Sequence, residues 1–304
     1  MKTQMPRTIA EYLDQLRAAL RGADPALVQD ALYDAEDHLR SEFADNPGTG
    51  EAELLARIAN SYGAPAEVAA IYVDKEQQVQ DALRPPPPPP RKSALGRFFG
   101  IATDPRAYAA LFYMLLSLAT GIFYFTWAVT GLSLSIGLSI LIFGVVFAVL
   151  FFGTVRVLSL VEGRIIEVML GERMPRRPVY ADATRPLKGR VREMFTDPRT
   201  WSTLFYMLLM LPLGIVYFTI AVAGISISLA LMFAPIAQLL SHYGAIDGGI
   251  GLYIDGDMVA PPLILAPLAF MAGALMLFAM LHLARGIGRL QGALAKRLLV
   301  KSAA

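Results

Sequence analysis

The sequence predicts an all-α protein in two parts: a small helical domain in water, then a polytopic α-helical membrane domain with four spans in two parallel repeats. Three observations carry that prediction. Hydrophobic residues make up 55% of the 304-residue chain and charged residues only 17%, where soluble domains carry about 25% charge. Long stretches contain no Asp, Glu, Lys, Arg or His, so the apolar excess is concentrated rather than spread. One apolar stretch also recurs, without a gap, later in the chain.

The first 82 residues read as four short amphipathic helices. Ile9, Tyr12, Leu13, Leu16 and Leu20 recur at helical spacing, and Gly22 ends the run. Asp24 before Pro25 forms a cap and first-turn pair for a second helix, which stops at Asn46-Pro47-Gly48. A third helix carries Leu54, Leu55 and Ile58 and closes at Gly63, and Pro65 opens a fourth through Val68, Ile71 and Tyr72. The four stripes can cover one another, although a domain this small is near the lower limit for a self-sufficient core. Pro85 to Pro90 then form an unbroken proline run, which favours an extended rod of ~3.1 Å per residue and reads as a stiff spacer.

After Arg106 no ionisable residue occurs until Arg156, room for two crossings at ~20 residues each, with the turn between them expected near Gly131, Ser133 and Ser135. Further ionisable-free runs follow from Thr200 to Ser241 and from Met258 to Leu281. The expected spans are near 108–129, 136–158, 201–223 and 262–283. The apolar stretch from Ile225 to Leu240 is read as a prolongation of the third helix or a membrane-dipping segment, with Pro235 breaking it.

The organisation expected is therefore a cytoplasmic helical domain at 1–82, a proline-rich linker at 83–97, a first membrane repeat at 98–175, a basic cytoplasmic connector at 176–195, and a second repeat at 196–304 with an external loop near 241–260. Arg and Lys set the orientation. They crowd the linker, the connector and the tail, and are absent from the turn near Gly131 and from His242 to Asp257, which places both termini in the cytoplasm. Residues 1–11 lack the apolar core and cleavage site of a signal peptide.

The duplication pairs Thr103–Ser135 with Thr196–Ser228 without a gap, with roughly two thirds of positions identical. Asp104-Pro105-Arg106 corresponds to Asp197-Pro198-Arg199, Gly121 to Gly214 and Gly131 to Gly224. After a shift of roughly 36 residues, Arg156 aligns with Arg285 and Gly163 with Gly292. Each unit begins and ends on the same side, so the repeats are parallel rather than inverted. The Asp-Pro-Arg motifs suit a membrane surface. Asp104 and Asp197 cap a helix, Pro105 and Pro198 fill its first turn, and Arg106 and Arg199 lie at headgroup depth beside the anchoring aromatics Tyr108 and Trp201.

Composition excludes several chemistries. A net charge of +2 with no basic helix argues against direct nucleic-acid binding. With no cysteine there is no disulfide, thiolate metal site or thiol nucleophile. The spans place no ionisable group inside the bilayer of the kind that intramembrane chemistry needs, Arg156 and His282 falling at their ends, and no phosphate-binding, metalloprotease or nucleophile-elbow motif occurs. No enzyme activity and no cofactor or metal is expected. His38 reads as a partly exposed structural histidine. The external loop is the most distinctive segment. Tyr253 to Met258 reads as a β-hairpin turning at Asp255-Gly256, and His242, Asp247, Tyr253, Asp255 and Asp257 form a candidate signal or ligand surface, against the plainer reading of ordinary turn chemistry.

The repeated TDPR before LFYMLL, followed by the Gly-Ile, Tyr-Phe-Thr and Gly-x-Ser-x-Ser pattern, resembles the bacterial sensor domain found alone or ahead of histidine kinases, over about Phe98 to Leu299. The front segment, with Tyr12-Leu13, Asp24-Pro25, Glu36-Asp37-His38 and Tyr62-Gly63-Ala64-Pro65, is similar to the HAAS signalling domain, often encoded beside PadR-type transcription regulators. The resemblance implies signal transmission or regulation and brings no catalytic residues. The expectation is a non-catalytic sensor or regulator of the bacterial cytoplasmic membrane that passes an external or bilayer signal through its N-terminal domain. Its partners would be the lipid bilayer and a cytoplasmic protein, a PadR-type regulator or other signalling protein, or else a membrane partner; homo-oligomerisation is compatible with the pattern. The competing reading is a permease-like subunit or accessory scaffold of a transporter.

Overall fold

The computed structural model describes residues 5–83, 93–138, 142–177, 195–245, 252–254, 257–259 and 262–300. The proline run, Asp247 and the Asp255-Gly256 turn lie outside them. The chain divides into two compact units, one gathering Met1–Pro89, Ala128–Tyr206 and Gly292–Ala304, the other Pro90–Trp127 and Met207–Gln291.

Helices α1 (Ile9–Ala19), α2 (Pro25–Asp45), α3 (Glu51–Ser61) and α4 (Pro65–Leu83) form the N-terminal domain within the first unit. Their starts follow from local chemistry. The Thr8 hydroxyl accepts from the Glu11 amide, and Asp24 accepts from the Ala26 amide at 2.9 Å with Pro25 in the first turn. Gly63, at φ 111°, turns the chain between α3 and α4, and its carbonyl accepts from the Tyr12 hydroxyl at 2.8 Å. Tyr12, Leu16, Leu39, Leu54, Leu55 and Val68 pack into one core, where each large side chain contributes about 1.5–3 kcal/mol by leaving water. His38 is half-buried and stacks on Tyr62 with ring centroids 4.4 Å apart.

Four later helices are long and apolar enough to cross a membrane. These are α6 (Pro105–Gly137, 33 residues), α7 (Ile142–Leu170, 29 residues), α8 (Pro198–His242, 45 residues) and α9 (Ala266–Leu299, 34 residues), with a short α5 (Ala94–Phe99) ahead of them. Phe112, Leu150, Phe205 and Leu268 on these helices are each more than half exposed, as expected where lipid is the solvent. Besides the helices, β1 (Leu252–Ile254) pairs antiparallel with β2 (Asp257–Val259), Tyr253 opposite Met258, forming the expected hairpin.

Two expectations are corrected. The first apolar helix does not turn at Gly131 but continues to Gly137, because the Ser135 hydroxyl donates back to the Gly131 carbonyl at 2.6 Å and so fits inside the helix. Pro235 does not break the third helix. Instead α8 passes through both Pro212 and Pro235 and continues to His242, so the stretch from Ile225 to Leu240 prolongs it. In lipid a helix satisfies its own backbone, which favours continuing it even at the loss of one proline amide.

The duplication is visible in the packing. In the second unit, a Cβ on Gly121 would collide with the Met210 carbonyl, and a Cβ on Gly214 with the carbonyl of Ser117, the residue that corresponds to Met210. The middle of α6 and the corresponding part of α8 therefore cross reciprocally, backbone on backbone, which only glycine permits. Within each repeat the later glycine also supports the partner helix, Gly131 against Phe151 and Gly224 against Met280. Ser228 donates to the Gly224 carbonyl at 2.7 Å just as Ser135 does to Gly131. Tyr108 and Trp201 each donate to a carbonyl six residues back, at 2.9 Å.

Candidate functional site

Among the described residues, a dense polar cluster lies in the first unit, where the N-terminal domain meets the segment following α7. Helix α7 ends at Gly171, whose φ of 74° turns the chain out of the helix, and Glu172 to Arg177 run on without helical structure. From this segment Arg173 places its guanidinium, 7% exposed, against α2 and α4. It meets Asp30 at 2.9 Å, Glu76 at 3.1 Å and Glu167 at 3.5 Å. The other Asp30 oxygen accepts from the amides of Arg176 at 2.7 Å and Arg177 at 2.8 Å. Asp30 is thus satisfied on both oxygens, and this offsets its removal from water. Burial pushes its carboxyl above the ordinary carboxylate value, opposed by the Arg177 amide and the Arg173 guanidinium.

Flanking contacts extend this clamp. Gln29 donates to the Arg177 carbonyl at 2.8 Å, Arg177 pairs with Asp34 at 3.0 Å, and Tyr72 donates to the other Asp34 oxygen at 2.9 Å. Lys296, near the end of α9, pairs with Asp24, which also caps α2. The domain is therefore fastened through α2 to the segment that leaves α7 and, through the Asp24 cap, to the last turn of α9. An arrangement of this kind holds the helical domain against the segment that follows α7.

A second polar pattern follows the repeat. Tyr206 donates to the buried Glu162 at 2.9 Å in the first unit. In the second unit the corresponding residues are Tyr113 and Gln291, the amide donating to the phenol at 3.3 Å, while Tyr217 donates to the Gln291 carbonyl oxygen at 3.1 Å. One repeat thus keeps a carboxylate where the other has its neutral amide. Asp104 and Asp197 act as the caps expected, each accepting from the amide of the arginine two residues on, at 3.0 Å and 3.1 Å. Each also faces the arginine that closes the other repeat, Asp104 to Arg285 at 2.8 Å and Asp197 to Arg156 at 3.8 Å.

Of the loop residues only part is described. His242 is exposed at the end of α8, its ring centroid 5.5 Å from that of Tyr243. Tyr253 and Asp257 fall on β1 and β2, and Asp247 and Asp255 lie outside the described residues. Among the described residues no group of three His, Asp or Glu side chains is placed to hold a metal ion. Sequence reasoning missed Asp30, Arg173 and Glu162. The signal for the clamp was present as Asp30 and Asp34 one helical turn apart on α2, opposite in charge to Arg173, Arg176 and Arg177.

The Sensor family, described as Putative sensor, matches residues 113–299, and the HAAS family matches residues 11–71. No curated protein and no solved structure matches the chain.

Proposed function

Since the chain belongs to the Sensor family, with a HAAS domain ahead of its apolar helices, we propose that it is a non-catalytic regulator of the bacterial cytoplasmic membrane whose HAAS domain conveys the state of the membrane repeats to a cytoplasmic protein. A sensor or regulatory role in general follows from the two families. The finer reading rests on one observation, the buried Asp30–Arg173 pair that fastens α2 to the segment emerging from α7. A displacement of α7 would be felt directly by α2, because a buried pair cannot shift without exposing an unpaired charge. Both termini and the basic connector lie in the cytoplasm in this reading, and the loop carrying His242, Tyr253 and Asp257 faces outward. The Asp-Pro-Arg motifs seat the first and third spans at the headgroups. The partner's class is a soluble regulator, the PadR type being the first to test.

Affinity purification of the full-length chain from its native membranes tests this. The expected result is a soluble regulator that co-elutes with the wild type, with altered transcription of its targets in a deletion strain. Recovery of no soluble partner, together with unchanged transcription, would overturn it.

A further inference from the structure

The two corners where an Asp-Pro-Arg motif meets a closing arginine are built from corresponding residues but differ in chemistry. In the second unit, Asp104 and Arg285 close on each other at 2.8 Å, and the neighbouring positions hold Ala107, Ala110 and Gly288. In the first unit the corresponding positions hold Thr200, Thr203 and Ser159, and Asp197 stands 3.8 Å from Arg156. A small pocket opens there, lined by these five residues together with Arg199 and the apolar Val155 and Leu160. Three hydroxyls have replaced three side chains with no polar group, at the corner where the ion pair is looser.

Two donors in this pocket lack a counterpart. Thr200 is 3% exposed, and its hydroxyl has no hydrogen-bond partner among the described residues; the same is true of the buried Arg199 Nη1. Arg199 is held in place by its Nε, which donates to the Leu299 carbonyl at 3.1 Å, so its free edge is fixed. Buried donors are nearly always satisfied, and two left open at one pocket point to an acceptor that belongs there. Its charge can be read from the lining. Two guanidiniums face one carboxylate, and that carboxylate already caps α8 through the Arg199 amide at 3.1 Å. One positive charge remains, beside the amino end of a 45-residue helix. The apolar run of α7 ends at Arg156 and that of α8 begins after Arg199, so the pocket lies at headgroup depth.

We infer that the pocket formed by Arg156, Arg199, Thr200 and Thr203 binds a phosphate group, carried by an anionic phospholipid or by a soluble phosphate. Arg199 and Thr200 donate to its oxygens, and Arg156 supplies the second cationic wall. The Asp104–Arg285 corner, closed on itself and without hydroxyls, does not bind. This inference does not depend on the regulatory reading, since a transporter subunit could hold the same ligand.

The test uses the delipidated full-length chain, the Thr200→Ala/Thr203→Ala variant, whose alanines the other repeat already carries at Ala107 and Ala110, and Arg199→Gln as an independent second variant. Phosphatidylglycerol retention is read by native mass spectrometry against phosphatidylcholine, and inorganic phosphate binding by calorimetry. The wild type is expected to bind at least one phosphate probe, and both variants to bind it at least tenfold more weakly with unchanged helix content. Retention of phosphatidylglycerol alone assigns the group to lipid, and binding of inorganic phosphate assigns it to a soluble source. Wild type that prefers neither probe, or variants that bind as tightly as wild type, would overturn the inference.

Discussion

Asp30 on α2 and Arg173 beyond α7 form an ion pair at 2.9 Å with both side chains 7% exposed, and two backbone amides complete the carboxylate's coordination. The N-terminal domain is therefore bound to the rest of its unit by charges withdrawn from water, whose energetics differ from those of an apolar contact. Such a pair adds little net stability over an apolar replacement, but leaving one partner alone is costly. That asymmetry makes it suited to reporting a displacement.

The first prediction is a double-mutant cycle. Arg173→Met leaves Asp30 buried without its cation and is expected to lose about 3–5 kcal/mol, while Asp30→Leu leaves Arg173 paired with Glu76 and Glu167 and is expected to lose less. The double variant should recover most of the Arg173→Met loss. Chemical denaturation of the full-length chain, followed through the N-terminal domain, checks it; additive losses would show that the two residues do not act as a pair.

Glycine positions give a second test. Gly121→Leu and Gly214→Leu should each prevent the crossing of α6 and α8, because the added side chain meets backbone rather than a movable group. Yield of monodisperse protein after detergent extraction should collapse equally for both. Gly153→Ala, where nothing lies within 4 Å of the new atom, should leave the yield unchanged.

The contrast between repeats predicts how Glu162 responds. Glu162→Gln restores the residue that the other repeat carries at Gln291, and should alter stability by less than about 1 kcal/mol because Tyr206 keeps an acceptor. Glu162→Ala removes the acceptor of the buried Tyr206 hydroxyl and should cost about 1–3 kcal/mol. Thermal unfolding of the two variants in the same detergent separates them.

Alkaline pH should loosen the N-terminal domain. Burial raises the phenol of Tyr12 above its ordinary value, and burial with the Asp34 hydrogen bond does the same for Tyr72. A phenol raised on folding contributes stability that is complete below the unfolded value, about pH 10, and is lost as pH climbs above it. Amide exchange in α1 and α4 should therefore be constant to about pH 10, once corrected for intrinsic rates, and accelerate beyond. Tyr12→Phe should weaken that dependence and cost about 1 kcal/mol at neutral pH through the lost bond to the Gly63 carbonyl.

The four N-terminal helices were legible because caps and stops are local. Asp24 with Pro25, and Gly63, act through neighbours in sequence, and the structure uses them as expected. The apolar helices were legible from their lack of ionisable residues, but their ends were not. Gly131 and Pro235 look like breakers in water, whereas in lipid the backbone's need for internal hydrogen bonds overrides that preference. The clamp was not legible because Asp30 and Arg173 lie far apart in sequence and each alone resembles a solvated surface charge. Nor was the pairing of Tyr206 with Glu162, although its counterpart, Tyr113 with Gln291, shows the repeat preserving a contact as well as a sequence.

Hydrogen exchange of the full-length chain in lipid nanodiscs, comparing wild type with Arg173→Met, tests the coupling most directly. Loss of the guanidinium should accelerate exchange together in α2 and in residues 171–177, while the Gly121–Gly214 crossing stays protected. Unchanged protection in α2 would show that the HAAS domain is not held by the segment leaving α7, and the proposed route from the membrane repeats to a cytoplasmic partner would fail.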